Sequence, residues 1–251
     1  MNEAFVDRSR TIEVLIADDQ ALVRAGLASL VASQPDLAVV GQAADGAEAV
    51  RLARQLTPDV VLMDIRMPAL DGIEATRRIT TDPATRHCRV LILTTYDVDE
   101  YVYDALKAGA SGFLLKHSPP EELILGVHAA ADGGALASPS ITKRLIEAFT
   151  AGRNAPVRPP AVLARLTVRE REVFDQMITG STNAEIAQAL FIGETTVKTH
   201  AGHVLDKLEL RDRVQVVVFA YENGLVLPGT SARSYRDTSS RHIDESESSP
   251  G

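Results

Sequence analysis

The chain has 251 residues, of which 45% are hydrophobic and 24% charged, a composition typical of globular proteins and long enough for one large domain or two ordinary ones. A single cysteine excludes an internal disulfide and a cysteine-rich zinc site, and no stretch approaches the roughly 20 apolar residues of a membrane span, so we expect a cytoplasmic protein without membrane contacts. The formal net charge of −8 at pH 7 weighs, at face value, against nucleic-acid binding.

Short apolar runs alternate with longer amphipathic segments from residue 11 to residue 131. The runs predicted as strands are Ile12–Ala17, Leu37–Gly41, Val60–Met63, Val90–Leu93 and Gly112–Leu115. The predicted helices lie at 20–33, 46–56, 71–80, 98–108 and 119–131. Strands that alternate with helices indicate a parallel sheet covered on both faces. We therefore predict a doubly wound α/β domain, flavodoxin-like, with a five-stranded parallel sheet.

The pattern changes after residue 131. Residues 132–162 contain one helical segment, near 138–149, and then a run of Gly and Pro, which predicts an exposed linker. Residues 163–228 are helical in pattern, with segments at 168–179, 183–190, 194–208 and 212–223, as in a compact four-helix domain. Residues 229–251 are rich in serine and charged residues, which predicts a disordered tail.

Three acidic side chains follow the first and third predicted strands. Asp18 and Asp19 come after the first strand, and Asp64 comes after the third. Each alone could equally be a loop residue or a helix cap. Ligands of open α/β sheets bind at the carboxyl ends of the strands, so we expect the three carboxylates to converge. Converging carboxylates with few other protein ligands favour Mg²⁺.

Two further polar residues belong to the same edge of the predicted sheet. Thr94 ends the fourth strand and Lys116 follows the fifth. A hydroxyl group and an ammonium group beside a metal-bound carboxylate form a set that can bind a phosphoryl group. Alone, each would be an ordinary residue, and their shared position is what favours a phosphoryl site.

The order and spacing of these residues resemble the receiver domain of two-component response regulators. The matching positions are Asp18-Asp19, Asp64, Met67-Pro68, Asp71-Gly72, Thr94, Ala108–Ala110, Gly112-Phe113 and Lys116. The resemblance implies that Asp64 accepts a phosphoryl group from the histidine of a sensor kinase. The implied Mg²⁺ ligands are Asp18, Asp19, Asp64 and the backbone carbonyl of Arg66, with Asp18 acting partly through water.

The resemblance also implies how phosphorylation is sensed. Lys116 would pair with the phosphate, and Thr94 would move toward it and act on Phe113, the aromatic residue of the fifth strand. Many family members have tyrosine at the position of Phe113, so here the coupling would rest on ring packing. Three tyrosines follow Thr94 and either serve a partner face or pack on their own helix: Tyr96, Tyr101 and Tyr103.

The C-terminal segments 183–190 and 194–208, joined by a short turn, are typical of a helix-turn-helix. The strings that resemble the LuxR-type domain of NarL/FixJ-family regulators are Leu166-Thr167-x-Arg169-Glu170-x-Glu172, Asn183-x-Glu185-Ile186-Ala187, Thr196–His200, Lys207-Leu208 and Asp212-Arg213. Thr167 and Glu170 also have the spacing of a capping box, while Thr182 and Asn183 are both candidates to cap the next helix.

The resemblance places the DNA contacts on the 194–208 segment, in the major groove. Lys198, Thr199 and Gly202 match the base-facing positions, and Thr196 and His203 lie near phosphates. Gly202 has no side chain to read a base, and the serine common at the helix cap is replaced by Gly193. The resemblance therefore leaves the operator sequence open.

The charge of the C-terminal domain constrains how it can bind DNA. Residues 161–228 contain seven Lys and Arg against nine Asp and Glu, a net charge of −2. Since phosphate contacts carry much of DNA affinity, a monomer should bind weakly and a homodimer on a two-fold site more strongly. The 212–223 segment corresponds to the family's dimer interface, although its valines also suit core packing.

Three functions are compatible with an acidic pocket of this kind. The leading one is a transcription regulator that dimerises and binds DNA when phosphorylated, with the unphosphorylated receiver masking or misorienting the dimer surface. A regulator with a vestigial receiver is the alternative, against which the intact set of pocket residues argues. An aspartate-nucleophile phosphatase typically shows Asp-x-Asp after the first strand, where this chain has adjacent Asp18 and Asp19, so we expect no enzyme.

Overall fold

The computed structural model describes residues 11–94, 99–133 and 161–225. The predicted linker helix near 138–149, the predicted tail and Tyr96 lie outside the described residues. Within the described ranges, no helix combines the length and the apolar character that crossing a membrane requires.

The N-terminal domain is a five-stranded parallel sheet flanked by five helices. The strands are β1 (Ile12–Ala17), β2 (Leu37–Ala43), β3 (Val60–Asp64), β4 (Arg89–Thr94) and β5 (Gly112–Leu115). The helices are α1 (Ala21–Ala32), α2 (Gly46–Leu56), α3 (Gly72–Thr81), α4 (Asp99–Lys107) and α5 (Pro120–Ala131). The strand order is β2-β1-β3-β4-β5, which confirms the predicted doubly wound fold. The middle strands run slightly further than predicted, because β3 includes Asp64 and β4 includes Thr94.

Both faces of the sheet are buried, which explains why the strands show no polar alternation. Successive residues of one strand enter different apolar clusters. Leu15 of β1 and Val61 of β3 pack with α2, α3 and α4, whereas Val14 and Val60 pack with α1 and α5. Every residue of β3 is buried. The sheet therefore holds the carboxyl ends of its strands in fixed positions, where the predicted pocket residues lie.

The C-terminal domain is a small helical bundle. It consists of a 3-10 turn (Ala161–Arg165), α6 (Val168–Met177), α7 (Asn183–Leu190), α8 (Glu194–Leu208) and α9 (Arg213–Glu222). Thr167 and Glu170 form the predicted capping box at α6, and Thr182, rather than Asn183, caps α7. Along α8, the buried residues are Val197, Val204 and Leu208, whereas Leu205 is half-buried.

Helix α9 joins the two domains because residues on its different faces pack in different apolar clusters. Val216 and Ala220 belong to the core of the C-terminal bundle. Val214 and Val218 belong instead to the N-terminal cluster that contains Phe113. The predicted dimer helix is thus packed between the two domains in this arrangement.

Polar contacts at the start of β5 accompany this docking. Asp212, of which 1% is exposed, caps α9 by accepting a hydrogen bond from the backbone N–H of Gln215 at 3.2 Å. Its other carboxylate oxygen accepts one from the Ser111 hydroxyl at 2.7 Å. A single carboxylate therefore both starts α9 and ties it to the N-terminal domain.

Backbone carbonyls of the N-terminal domain receive two side chains from the C-terminal domain. Arg211 donates to Gly109 at 2.9 Å and Cys88 at 2.6 Å, and Gln215 donates to Leu106 at 3.1 Å and Ala110 at 3.2 Å. Leu106 lies in the last turn of α4, where carbonyls have no partner within the helix. The Leu106 carbonyl also accepts a hydrogen bond from the Gly109 N–H at 2.9 Å, so Gln215 adds a second hydrogen bond at the end of α4.

Glu170 links the start of α6 to the end of α8. Its Oε2 accepts hydrogen bonds from the Lys207 ammonium group at 2.6 Å and from the Thr167 N–H at 2.7 Å. These hydrogen bonds, the one from Lys207 foremost, lower the pKa of the buried Glu170 carboxyl to about 2. A carboxylate held in this way stabilises the folded domain in its ionised form.

We expect Glu170→Gln to lower the melting temperature of the C-terminal domain by roughly 5 °C at pH 7, because a charge-assisted hydrogen bond is lost. The folded-state pKa of about 2 is below the ordinary 4.5, so this contribution is fully present above about pH 4.5 and is lost as pH falls toward 2. Thermal unfolding followed by circular dichroism across this pH range measures both effects. Glu172→Gln, on the same helix but half-exposed, is the control, and equal losses in the two variants would contradict the role of Glu170.

Candidate functional site

Asp18, Asp19 and Asp64 converge at the carboxyl edge of the sheet, as predicted. One carboxylate oxygen from each lies within 4.8 Å of the others. Asp18 is fully buried and Asp64 is 5% exposed, whereas Asp19 is exposed. The strand pairing produces this convergence because β1 and β3 are hydrogen-bonded neighbours in the sheet.

Lys116 is the cation of this site. Its ammonium nitrogen lies 2.6 Å from Asp18 Oδ2 and 2.9 Å from Asp64 Oδ2. Burial disfavours the charged form of Lys116, but the hydrogen bonds to Asp18 and Asp64 outweigh burial and raise the pKa of the ammonium group. Burial also raises the pKa of the Asp64 carboxyl, against the lowering effect of Lys116. Asp18 and Asp64 therefore share one ammonium group, and Asp19 adds a third carboxylate beside them.

Thr94 and Phe113 lie on the two strands next to this pocket. Thr94 is buried at the end of β4, and its carbonyl accepts a hydrogen bond from the Lys116 N–H at 2.7 Å. Phe113 is buried in the middle of β5, opposite Ile92 in the strand pairing. The strands thus bring Thr94 beside Lys116, which pairs with Asp64. They also bring Phe113 into the apolar cluster that includes Val214.

The turn after β3 depends on a residue without a side chain. Gly72 donates its N–H to the Ile65 carbonyl at 2.8 Å, and a Cβ on Gly72 would lie 1.9 Å from the Asp64 carbonyl oxygen. Asp71 caps α3 by accepting a hydrogen bond from the Glu74 N–H at 2.8 Å. In the sequence the Asp71-Gly72 pair is one part of the receiver motif, and in the structure it lets α3 start directly against the backbone of Asp64.

The turn after β1 contains a contact that the sequence did not reveal. The guanidinium group of Arg24, in α1, donates to the Asp18 backbone carbonyl at 2.6 Å. The Gln20 N–H donates to Asp18 Oδ1 at 2.9 Å. The two aspartates therefore lie in a turn that is held from α1.

The donor set fits Mg²⁺. The three carboxylates outnumber the one ammonium group, and hard oxygen atoms are the ligands that Mg²⁺ prefers. Asp18, Asp19 and Asp64 are the side chains that would hold it, while Arg66 is exposed just after Asp64, where its carbonyl was predicted to contribute. A bound Mg²⁺ would neutralise the charge that develops on a phosphoryl group at this edge.

The predicted DNA-contacting side chains lie on the outer side of α8. Thr196, Lys198, Thr199 and His203 are exposed, and Gly202 has open space where a side chain would stand. Gly193 is the N-cap residue of α8 and provides no side-chain cap. The exposed pattern agrees with a groove-facing helix whose buried side packs on α6 and α7.

Comparison with known families accounts for both domains. Residues 14–128 match the response regulator receiver domain, and residues 164–220 match the bacterial regulatory proteins of the luxR family. The uncharacterized transcriptional regulatory protein YxjL of Bacillus subtilis is 44% identical over 216 residues, covering 86% of this chain and 97% of YxjL. The transcriptional regulatory protein LiaR of the same organism is 40% identical over 219 residues, covering 86% of this chain and 99% of LiaR. These relatives are transcriptional regulators and not enzymes, as expected.

Two solved structures agree with this comparison. The LuxR-family two-component response regulator from Aurantimonas sp. SI85-9A1 is 39% identical, covers 55% of this chain and 96% of its own, and superposes with a TM-score of 0.51. The RcsB response regulator of Salmonella typhimurium is 21% identical, with 84% and 98% covered and a TM-score of 0.50, a likeness that concerns the fold alone.

We expect Asp19→Asn to stabilise the N-terminal domain without Mg²⁺, because it relieves repulsion among the carboxylates, and to reduce the stabilisation that Mg²⁺ gives. At a free Mg²⁺ concentration about 100 times the dissociation constant, the natural chain should gain about 2.7 kcal/mol of unfolding free energy. Urea unfolding with and without Mg²⁺ measures both quantities. Asp132→Asn, exposed after α5, is the control, and a Mg²⁺ effect preserved in Asp19→Asn would contradict the ligand role.

Proposed function

The chain belongs to the LuxR-type family of two-component response regulators, and we propose that phosphorylation of Asp64 controls its binding to DNA. The observation that carries this proposal is the complete pocket at the carboxyl edge of the sheet. Asp64 is buried beside Asp18 and within 2.9 Å of the Lys116 ammonium nitrogen. A receiver that had lost its chemistry would have no need to keep these mutually repelling carboxylates together.

The donor of the phosphoryl group is proposed to be the phosphohistidine of a sensor kinase. A carboxylate oxygen of Asp64 attacks the phosphorus atom and forms a P–O bond while the bond from phosphorus to the histidine nitrogen breaks. The electron pair of the broken bond stays on that nitrogen, which takes a proton from solvent. Lys116 already lies at Asp64 and can pair with the new phosphate oxygens. The Thr94 hydroxyl group, at the end of the neighbouring strand β4, is proposed to donate to the same group.

The output is proposed to be binding of a homodimer to promoter DNA in the cytoplasm. In this proposal helix α8 enters the major groove with Lys198, Thr199 and Gly202 at the base-facing positions and with Thr196 and His203 near phosphates. The exposure of these side chains supports this assignment. Dimerisation through α9 would place two copies of α8 on the two halves of a site.

The docking of α9 supports the proposed masking of the dimer surface. Val214 and Val218 are buried against the N-terminal domain, where they are not accessible to a second copy. The docked helix touches α4, which follows Thr94 in the chain, through the hydrogen bond from Gln215 to the Leu106 carbonyl. We propose that phosphorylation shifts α4 and Phe113, weakens this docking and frees α9.

We expect the natural chain, incubated with acetyl phosphate and Mg²⁺, to gain one phosphoryl group and shift from monomer to dimer, whereas Asp64→Asn should do neither. Intact mass and light scattering after size-exclusion chromatography measure these changes. The phosphorylated and unphosphorylated forms of the natural chain are also compared for their affinity to a DNA duplex selected from a random-sequence pool. Asp59→Asn, before the same strand, is the matched control. If the natural chain accepts the phosphoryl group but its DNA affinity does not change, phosphorylation does not regulate DNA binding and the proposal is wrong.

We expect Ser111→Ala to increase dimerisation and DNA affinity of the unphosphorylated chain by about tenfold, because it removes a hydrogen bond to the buried Asp212 carboxylate. The substitution lies in the N-terminal domain and leaves the surface of α9 unchanged. Sedimentation velocity and fluorescence anisotropy with labelled duplex are the measurements. Ser29→Ala, on the distant α1, is the control. If both variants behave like the natural chain, the docked arrangement does not limit dimerisation.

A further inference from the structure

The turn between β1 and α1 is held through every polar group of Asp18. Its N–H donates to the Ala43 carbonyl at 3.2 Å, and its Oδ1 accepts from Gln20 at 2.9 Å. Its Oδ2 lies 2.6 Å from the Lys116 ammonium nitrogen. The remaining group, the backbone carbonyl, accepts the hydrogen bond from Arg24 at 2.6 Å. Of the four contacts, that of Arg24 is the one made by a side chain of α1.

We propose that Arg24 is a positioning residue, which orients the Asp18-Asp19 peptide so that both carboxylates face a bound divalent cation. This inference rests on the proposed function of the pocket. The carbonyl of Asp18 and the N–H and Cα of Asp19 lie in one rigid peptide plane. A hydrogen bond that fixes the carbonyl oxygen therefore also fixes the direction in which the chain enters Asp19.

Helix α1 needs this contact because its start lacks the usual anchor. Asp45 and Asp71 cap α2 and α3 with their side chains, whereas Gln20, at the same position of α1, makes no side-chain cap. The first turn of α1 also contains no acidic residue. Arg24 lies one turn into the helix, so its hydrogen bond ties that first turn back to the metal-binding peptide.

The exposure of Asp19 makes this anchoring important. The side chains of Asp18 and Asp64 are confined by burial and by Lys116, but Asp19 is exposed and depends on its backbone for direction. The contact that Arg24 makes is with the backbone carbonyl of Asp18, so it acts on the direction of the peptide. A lysine would keep the charge but present a single ammonium nitrogen in place of the planar fork.

The test compares the full-length natural chain with Arg24→Met and Arg24→Lys. Titration calorimetry with MgCl₂ alone gives the dissociation constant for Mg²⁺, and the initial rate of phosphorylation by acetyl phosphate is measured against Mg²⁺ concentration. We expect Arg24→Met to raise the dissociation constant about tenfold and Arg24→Lys to raise it less, with maximal rates at saturating Mg²⁺ within about twofold of each other. Arg51→Met, which removes an exposed arginine from α2, is the control and should leave the constant unchanged.

An unchanged dissociation constant in Arg24→Met, with circular dichroism showing a folded chain, would overturn the inference. A fall in maximal rate with no change in the constant would overturn it as well, because it would give Arg24 a direct role in the reaction. If Arg24→Met does not fold, Arg24→Lys decides by the same two readouts. The proposed function fails separately, if the natural chain binds Mg²⁺ and still accepts no phosphoryl group.

Discussion

Repulsion among Asp18, Asp19 and Asp64 is the constraint that the N-terminal domain is built to withstand. One ammonium group, that of Lys116, lies among three carboxylates, so the pocket keeps an excess of negative charge that a cation can neutralise. The fold holds the carboxylates together through backbone contacts. Gly72 brings α3 against the Asp64 backbone, and Arg24 holds the Asp18 carbonyl. The stability of the sheet, buried on both faces, offsets the electrostatic cost of keeping the site assembled.

The same strands that carry this pocket also carry the contact with the C-terminal domain. Thr94 is the last residue of β4 and Lys116 follows β5. Ser111, just before β5, binds Asp212 at the start of α9, at the opposite end of these strands. Between these ends, Phe113 shares one apolar cluster with Val214. A structural change at either end of these strands would therefore alter the packing of the same group of side chains. If phosphorylation weakens the docking of α9, as proposed, then docking should disfavour phosphorylation by the same free energy, because coupling is reciprocal.

The features predictable from sequence are those that depend on local pattern. Apolar runs predicted the five strands of a parallel sheet, and the placement of Asp18, Asp64 and Lys116 at strand ends predicted their convergence, because parallel strands end at one edge. Contacts between distant elements left no such pattern. Arg211 and Gln215 look like ordinary surface residues of a helical bundle, and only the packing of the two domains shows their backbone partners. The sequence likewise could not distinguish Arg24 from any other arginine on a helix, because its hydrogen-bond acceptor is a backbone carbonyl, which every residue has.

The charge of the DNA-binding domain explains why control of dimerisation would suffice to control DNA binding. Six of its seven cationic side chains are already engaged: Arg165 with Glu209, Arg169 with Glu172, Arg171 with Asp175, Lys207 with Glu170, Arg213 with Asn183, and Arg211 with the N-terminal domain. Lys198 is the exception within residues 161–225, and it lies on the predicted groove-facing side of α8. A domain with so little free positive charge gains little from phosphate contacts as a monomer. Under the proposed function, occupancy of DNA would then depend steeply on the pairing of two copies, and a contact that buries α9 would act on that pairing step.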